Sequence, residues 1–296
     1  MTKMTDSEQK LTTPEEQSRV YVLFYSFFLI PLMITIVGVM FFFMFKVLTY
    51  ESSSPVDYLT DVQYGAASKR WQAAFELSKL LANPDRVPLD DTFHKRMIAV
   101  YKHSIHDDPS VRMYIALAMG RTENSIYGEP LIEGLKDKDK GSRVAAIKAL
   151  GSLAYTSSIN QLVNFTGLNN SVEERLSATI SLGNMNDQSV IPTLQNLIND
   201  EEPNIRWDAA IALAKLGDAS GSEVIKNLLD RKYYDQFKEV DAEEEAQAIL
   251  IAIQASNKIP SKKFITNLLK LATLDYNMKI RDTAIKTLDK TYNRRI

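Results

Sequence analysis

The sequence contains no cysteine, and among its 296 residues there are only 3 histidines and 2 tryptophans. Without cysteine, disulfide scaffolds, thiolate metal sites and cysteine nucleophiles are excluded. The chain also has no excess of charge of either sign, because 35 Lys and Arg stand against 37 Asp and Glu. Nucleic-acid binders normally carry a basic surplus that neutralises phosphate, so this balance argues against nucleic acid as a partner.

Sequence motifs for nucleotide binding and for hydrolysis are missing as well. There is no Gly-x-x-x-x-Gly-Lys-Ser/Thr loop and no Gly-x-Ser-x-Gly elbow. His103 and His106, three residues apart at a predicted helix end, would present two imidazoles to a metal, but no third ligand is obvious in the sequence. We therefore expect no metal, no other cofactor and no catalytic residues.

A long apolar run lies near the N-terminus. Residues 20–45 contain no charged side chain and are bounded by Arg19 and Lys46. In a helix, at about 1.5 Å per residue, this run exceeds the roughly 30 Å hydrocarbon core of a bilayer. It is also longer than the apolar stretch of a cleaved signal peptide, and no small-residue cleavage site follows it. We predict one transmembrane helix over residues 20–47, preceded by an N-terminal tail of residues 1–19.

The basic residues around this run predict its orientation. Three of them precede it: Lys3, Lys10 and Arg19. Lys46 is the only one between the run and residue 65. Because Lys and Arg favour the cytoplasmic side, we expect a cytoplasmic N-terminus in a bacterial inner membrane and a C-terminal part in the periplasm. Small or polar positions of the helix would pack against a partner helix. They are Ser26, Thr35 and Gly38.

Internal repeats follow a predicted linker of residues 48–64 and fill residues 65–296. Arginine recurs in this region, mostly at intervals of about 31 residues: Arg70, Arg112, Arg143, Arg175, Arg206 and Arg281. The last interval is double, and Glu244 stands where the missing arginine would be. Small and aliphatic residues follow each arginine in helical order, then a glycine and a second apolar-periodic stretch. Each repeat therefore predicts two helices, with glycine where the first one stops.

One helix pair cannot bury its own apolar face, so neighbouring pairs must stack into a continuous core. The pattern Asp-x5-Arg, Ala-Ala, Ala-Leu-Gly, seen in residues 137–151, resembles HEAT repeats. Its short period resembles the subtype named after phycobilin lyases. The resemblance implies an all-α fold, in which the transmembrane helix is followed by an α-solenoid of about seven HEAT-like helix pairs.

An acidic residue recurs six positions before the arginine, as Asp137, Asp200 and Asp275. A carboxylate there can accept hydrogen bonds from the free N–H groups of the helix start and can pair with an arginine of its own or the next unit. We predict that these residues form a structural ladder between repeats, and the alternative is an arginine row that binds a ligand. Trp71 and Trp207, each directly after its arginine, are predicted to pack between repeats.

The repeat period lengthens between the fifth and sixth units. The added segment contains Arg231, Lys232, Tyr233, Tyr234 and Phe237. Insertions in a solenoid map to loops on one face, and Tyr and Arg are frequent interface anchors, so these five residues are candidate partner contacts. The alternative is that Tyr233 and Phe237, four residues apart, pack inward.

Polar residues within the otherwise apolar second helices are further candidates, because they are expected to line the inner face of the solenoid. They are Gln161, Asn164, Gln195, Asn196, Lys226 and Asn227.

The expected function follows from this shape. A rigid solenoid tethered to a bilayer meets partners of the same membrane at high effective concentration, so weak contacts suffice. We expect a protein-binding scaffold or an accessory subunit of a membrane or envelope complex, such as a transporter, and no small-molecule ligand. Two alternatives remain: a solenoid enzyme or ligand-binding protein of the phycobilin-lyase type, and a self-assembling structural scaffold.

Because the chain has no cysteine, the single substitution Ser261→Cys places one thiol in the repeat region. If that region lies outside the cytoplasm, the thiol will react with a membrane-impermeant maleimide on intact cells or spheroplasts. Labelling only after lysis would contradict this orientation. The unsubstituted chain, which cannot react, serves as the control.

Overall fold

The structure is a computed structural model, and it describes residue 22, residues 24–48 and residues 54–295. Two compact units make up the chain, Met1–Ser53 and Ser54–Ile296. The predicted tail of residues 1–19, the first residues of the predicted span and residues 49–53 of the predicted linker lie outside the described residues. All regular secondary structure in the described ranges is helical.

One helix forms the described part of the first unit. It starts as a π-helix over Tyr25–Leu29 and continues as α1 over Ile30–Leu48. The wide π turn directly precedes Pro31, whose missing N–H and bulky ring disturb the turn before it. The Thr35 hydroxyl is satisfied within the helix, because it donates to the Pro31 carbonyl over 2.8 Å. The stretch Tyr25–Lys46 is long and apolar enough to cross a membrane, a property that signal sequences share.

The second unit begins with α2 (Pro55–Tyr64) and continues with helices arranged in pairs. The first helices of the pairs are α3 (Ala67–Leu80), α5 (Pro109–Gly120), α7 (Lys140–Ser152), α9 (Val172–Asn184), α11 (Pro203–Lys215) and α13 (Ala242–Lys258). The second helices are α4 (Asp91–His103), α6 (Gly128–Gly134), α8 (Ile159–Phe165), α10 (Ile191–Leu197), α12 (Ser222–Leu228) and α14 (Lys262–Leu274). The helix α15 (Met278–Tyr292) ends the array.

Successive first helices pack side by side, and each second helix packs against the helix that follows it, which is the first helix of the next unit or, at the end, α15. The result is a two-layer array of six complete pairs with α2 and α15 as half units at the two ends, which confirms the predicted all-α solenoid. The buried side chains form two adjoining hydrophobic clusters that meet on α11. Ile205 and Leu213 belong to the first cluster, whereas Trp207 and Ala214 belong to the second.

Helix α2 corrects the predicted boundary between linker and repeats. Its start is a capping box, in which the Ser54 hydroxyl accepts from the Asp57 N–H and the Asp57 carboxylate accepts from the Ser54 N–H. Pro55 occupies the first turn, where its missing N–H has no consequence. Leu59 and Val62 are fully buried. The solenoid therefore starts at Ser54 and not at residue 65, because these two side chains belong to its core.

The repeated glycines lie where the first helices stop, as predicted, and they also bring these helices together. Gly120 is the last residue of its helix, and Gly151 and Gly183 are each the last but one. Each glycine faces a small residue of the next first helix, so closely that an added Cβ would lie 2.6 Å from one of its atoms: Gly120 faces Ala149, Gly151 faces Ser181 and Gly183 faces Ala212. A side chain at any of these glycines would push two helices of the layer apart.

The backbone adopts positive φ eleven residues after the recurrent arginine of a unit. Four successive units share this repeat position: Glu123 (φ 55°), Ala154 (φ 47°), Asn186 (φ 51°) and Gly217 (φ 80°). Glycine adopts this left-handed conformation without penalty and asparagine tolerates it, whereas other residues are strained there. Ala154 and Glu123 are therefore the strained members of the series.

We expect Ala154→Gly to raise the free energy of unfolding by about 1 kcal/mol, because it removes a Cβ from a left-handed position. Gly217→Ala should lower it by a similar amount. Chemical denaturation of the full chain in detergent measures both changes. Ala67→Gly, at an exposed helix start with ordinary backbone, is the matched control. Equal destabilisation by Ala154→Gly and Ala67→Gly would contradict strain at Ala154.

Candidate functional site

Ion pairs connect the first helices of successive units. In each pair an arginine reaches an acidic residue of the next unit over 2.5–2.8 Å: Arg70 to Asp107, Arg112 to Asp137, Arg143 to Glu174 and Arg175 to Asp200. Two further arginines of the series bind backbone only. Arg206 donates to the carbonyls of Asp200 and Glu201, and Arg281 donates to the carbonyl of Asp275. The predicted ladder thus contains four ion-paired rungs.

Burial of these rungs favours a structural role over the alternative of a ligand-binding arginine row. The side chains of Arg175 and Asp200 are only 3% and 4% exposed. Burial by itself would raise the pKa of Glu174, but hydrogen bonds from Ser171 and Arg143 outweigh it and hold that pKa below its ordinary value. The acid of this rung is therefore ionised and paired within the fold.

Arg231, a predicted partner contact, is a rung of the same ladder. It lies in a 3-10 helix, Arg231–Gln236, and its guanidinium donates to both carboxylate oxygens of Asp275 over 2.7 and 3.0 Å. It also pairs with Glu245 at 3.0 Å and stacks over the Tyr276 ring at 4.0 Å. The inserted segment therefore supplies the arginine that the unit with Glu244 lacks, and Arg231 is occupied within the fold.

The aromatic residues of the insertion pack inward, which was the alternative interpretation of this segment. Tyr234 is 5% exposed, and its hydroxyl donates to the Leu228 carbonyl over 3.0 Å. The Trp207 indole N–H donates to the Tyr233 hydroxyl over 3.2 Å, and the Phe237 ring centroid lies 5.2 Å from that of Trp207. Burial raises the pKa of Tyr234. Tyr234 is therefore a core residue, and Tyr233 and Phe237 are partly buried and pack against the core.

Lys232 is the one exposed member of the five residues predicted as contacts in the insertion. The two tryptophans also differ from each other. Trp207 packs in the core as predicted, whereas Trp71 is 37% exposed, so the prediction that it packs between repeats was wrong. Its helix α3 lies at the N-terminal end of the array, where only α2 precedes it.

The three histidines do not converge. His94 is buried, with Nδ1 2.5 Å from the Tyr127 hydroxyl. His103 and His106 are both exposed, with ring centroids 6.1 Å apart. No group of three His, Asp or Glu side chains within the described ranges is arranged to hold a metal ion.

Three asparagines on the second helices form a row that we call the amide row: Asn164 on α8, Asn196 on α10 and Asn227 on α12. Each lies 21 residues after the arginine of its unit and is the last but one residue of its helix. All three side chains are exposed, and none of their side-chain amides has a hydrogen-bond partner among the described residues. An unoccupied amide offers one acceptor and two donors to a partner.

The other polar candidates of this layer are engaged within the chain or partly buried. The Gln195 amide donates to the Ser220 hydroxyl over 2.9 Å. Lys226 pairs with Glu223 of its own helix at 3.5 Å. Gln161 is half-buried. An open groove of about 530 Å³, lined in part by Thr166, Thr193, Asn196 and Asn199, lies between α8 and α10 and includes one member of the amide row, Asn196.

A second cleft, of about 680 Å³, opens in the other layer between α11 and α13. Asp208 lines it, and this half-buried carboxylate makes no hydrogen bond or ion pair within the described part of the chain. Burial raises the pKa of Asp208 to about 6, and the charge of Lys215 offsets this only in part. A carboxylate in such surroundings destabilises the fold when it is ionised.

The two layers of stacked helix pairs define an α-solenoid, and comparison with known proteins identifies its repeats. Residues 167–243 match the model of HEAT repeats. Residues 167–243 therefore form HEAT repeats, and stacked helix pairs of similar arrangement lie on both sides of them. No curated protein matches its sequence.

Two of the solved structures that resemble the chain are a lyase complex and a hydroxylase. The complex of CpcE and CpcF of phycocyanin lyase from Nostoc sp. PCC7120 is 20% identical, with 83% of this chain and 96% of that chain covered and a TM-score of 0.51. At this identity the likeness shows the fold alone. Human deoxyhypusine hydroxylase in complex with glycerol is 14% identical over 80% of this chain and 85% of that chain, with a TM-score of 0.35. That second likeness is too slight to support an argument.

We expect Asp208→Asn to stabilise the protein at pH 7.5 by about 2 kcal/mol, because the folded state no longer holds a half-buried charge. The raised pKa of Asp208 means that its folded state retains a proton that the unfolded chain releases. Protonated Asp208 thus contributes to the stability of the unsubstituted protein below about pH 4, and this contribution is lost as the pH rises through about 6.

The gain from Asp208→Asn should therefore shrink when chemical denaturation is repeated at pH 5. Asp282→Asn is the matched control, because Asp282 is exposed and pairs only with Lys286 of its own helix. A gain of the same size at both pH values would show that the carboxylate charge is not its source.

Proposed function

We propose that this protein is a membrane-anchored scaffold that binds another protein, as an accessory subunit of a membrane or envelope complex such as a transporter, and that it catalyses no reaction. The amide row is the observation that carries the proposal. It presents free donors and acceptors at one repeat position on three successive helices.

The stability of the helices does not account for the row. Asparagine has a lower helix propensity than alanine, lysine or glutamine, so each member slightly weakens its own short helix. Because packed helices lie about 8–10 Å apart, three in succession span roughly 16–20 Å. That distance corresponds to about six residues of an extended chain. The groove that includes Asn196 is open and not enclosed, which suits a polypeptide better than a small molecule.

The first unit supports the membrane part of the proposal. Helix α1 and the π turn before it form a continuous apolar helix of sufficient length, and Gly38 has no atom within 4 Å of the position of its missing Cβ. A partner helix in the bilayer can approach such a position closely. Tethering would then raise the effective concentration of a partner in the same membrane. We place the protein in a bacterial inner membrane with its N-terminus in the cytoplasm and the solenoid in the periplasm.

The test is affinity purification at native expression level in mild detergent, with identification and stoichiometry of the proteins that co-purify. We expect a stoichiometric membrane partner with the parent chain and its loss with the triple variant Asn164→Ala, Asn196→Ala, Asn227→Ala. Thermal stability should be unchanged or slightly higher, because alanine is the better helix former.

The matched control is the triple variant Lys148→Ala, Asn184→Ala, Lys215→Ala, which alters exposed residues of the first helices and should keep the partner. A partner retained by the amide-row variant would remove that row from the interface. A lone chain that retains a small molecule would favour the ligand-binding alternative. Oligomers that grow with protein concentration would favour self-assembly.

A further inference from the structure

The cleft between α11 and α13 lies where the layer of first helices departs from its packing rule. In the three preceding crossings a glycine faces alanine or serine. At the corresponding repeat positions of the next crossing stand Ala214, eight residues after Arg206, and Leu250, six residues after Glu244. Both residues are larger than their counterparts. The apolar residues on both sides of the cleft, among them Trp207, Ile211, Val240 and Ala248, belong to or pack against the second hydrophobic cluster of the core.

The cleft runs parallel to the two helices. On α11 its lining includes Asn204, Trp207, Asp208 and Ile211, which follow one face for two turns. On α13 its lining includes residues 243, 244, 247, 248 and 251, which again follow one face for about two turns. Two turns of helix are roughly 11 Å long. A groove of this length and direction matches the side chains at positions i, i+3, i+4 and i+7 of a third helix.

The lining combines an apolar floor with carboxylates. Trp207, Ile211, Val240 and Ile251 contribute apolar surface, and none of the described lysines and arginines lines the cleft. The acidic side chains at its border are Asp208, Glu239, Glu243 and Glu244. The field in the cleft therefore favours a cation.

Glu243 and Glu244 also have a role within the fold. Both lie in the first turn of α13, where negative charge is favourable, and Glu244 completes a capping box with Asp241. Asp208 has no such role. It lies in the middle of α11, at the repeat position that Ala145 and Ser177 occupy in the two preceding units, and it pairs with no described residue. Its carboxylate faces the cleft without a partner.

We propose that this cleft binds a helix of a partner protein whose apolar face is bordered by lysine or arginine. The apolar side chains would fill the space between α11 and α13, and a basic side chain would pair with Asp208. The cleft lies in the layer of first helices and the amide row in the layer of second helices, so this contact does not depend on the row.

The test uses the full chain in neutral phosphatidylcholine nanodiscs and a fluorescein-labelled helical peptide with a leucine face bordered by lysine. Fluorescence anisotropy measures its affinity, with empty nanodiscs as the blank. A second peptide has the same leucine face and glutamate in place of lysine. We expect the lysine peptide to bind and the glutamate peptide to bind at least tenfold more weakly.

Two different changes in the cleft should weaken binding of the lysine peptide about tenfold. The double variant Asp208→Asn, Glu243→Gln removes charge, and Ala248→Leu fills the cleft without changing charge. The control Asp282→Asn, Glu133→Gln removes two carboxylates from exposed positions elsewhere and should bind as the parent does. The amide-row triple variant should also bind as the parent does.

Equal affinity for the two peptides would overturn the proposal, as would binding that neither cleft variant weakens. Self-association of the parent that the double variant abolishes would overturn it too, because the occupant would then be a second copy of the chain. Loss of peptide binding in the amide-row variant alone would assign the basic helix to the other layer.

Discussion

The solenoid depends on how closely its first helices approach one another. Three crossings in succession place a residue without a side chain against a small residue of the next helix. Close approach lets backbone and Cβ atoms make dispersion contacts along the whole crossing, and it brings each arginine within reach of the acid one unit further on. The buried pair of Arg175 and Asp200 is tolerable only because both groups are paired, since a single buried charge is costly. The close packing of the first helices is therefore also what allows the ion pairs between successive units to form.

Where this close packing is relaxed, several features change together. The sixth unit has Glu244 in place of the arginine, larger residues at the crossing and a longer connection before α13. The fold compensates with Arg231, which reaches Asp275 from the inserted segment, and with the aromatic cluster around Trp207. It does not compensate for Asp208. The carboxylate of Asp208 weakens the fold and faces an open cleft. A role in binding therefore explains its presence better than a role in stability does.

Repeat periodicity made the fold predictable from the sequence. Each unit repeats the same contacts, so the same sequence features recur: an arginine, an acid before it and apolar periodicity after it. Because these features appear several times, they support the same interpretation several times over. Features that occur once were harder to predict. The prediction of a linker over residues 48–64 rested on composition, whereas the capping box of Ser54 and Asp57 starts a helix there. Arg231 and Tyr234 were taken as surface residues because composition alone does not reveal which way a short 3-10 segment turns.

The candidate site was predictable only in part. The asparagines of the second helices were predicted as contacts because they are polar. Only the hydrogen bonds of the whole layer reveal that their side-chain amides have no partner among the described residues. The glycines mark the ends of the first helices as predicted. Their contact with the next helix was not predicted, because a glycine near a helix end looks the same in the sequence whether or not a neighbouring helix approaches it. Asp208 gave no signal in the sequence, since its meaning depends on the distance between two helices.

The loose packing between α11 and α13 has a consequence for how the solenoid responds to stress. Stacked repeats behave as a nearly one-dimensional array, in which cooperativity is carried by the interfaces between neighbours. An array with one loosened interface behaves as two blocks in series, and each block has its own melting transition. A helix seated in the cleft would join the two blocks into a single cooperative body. The stiffness of the array would then depend on whether a partner helix occupies the cleft.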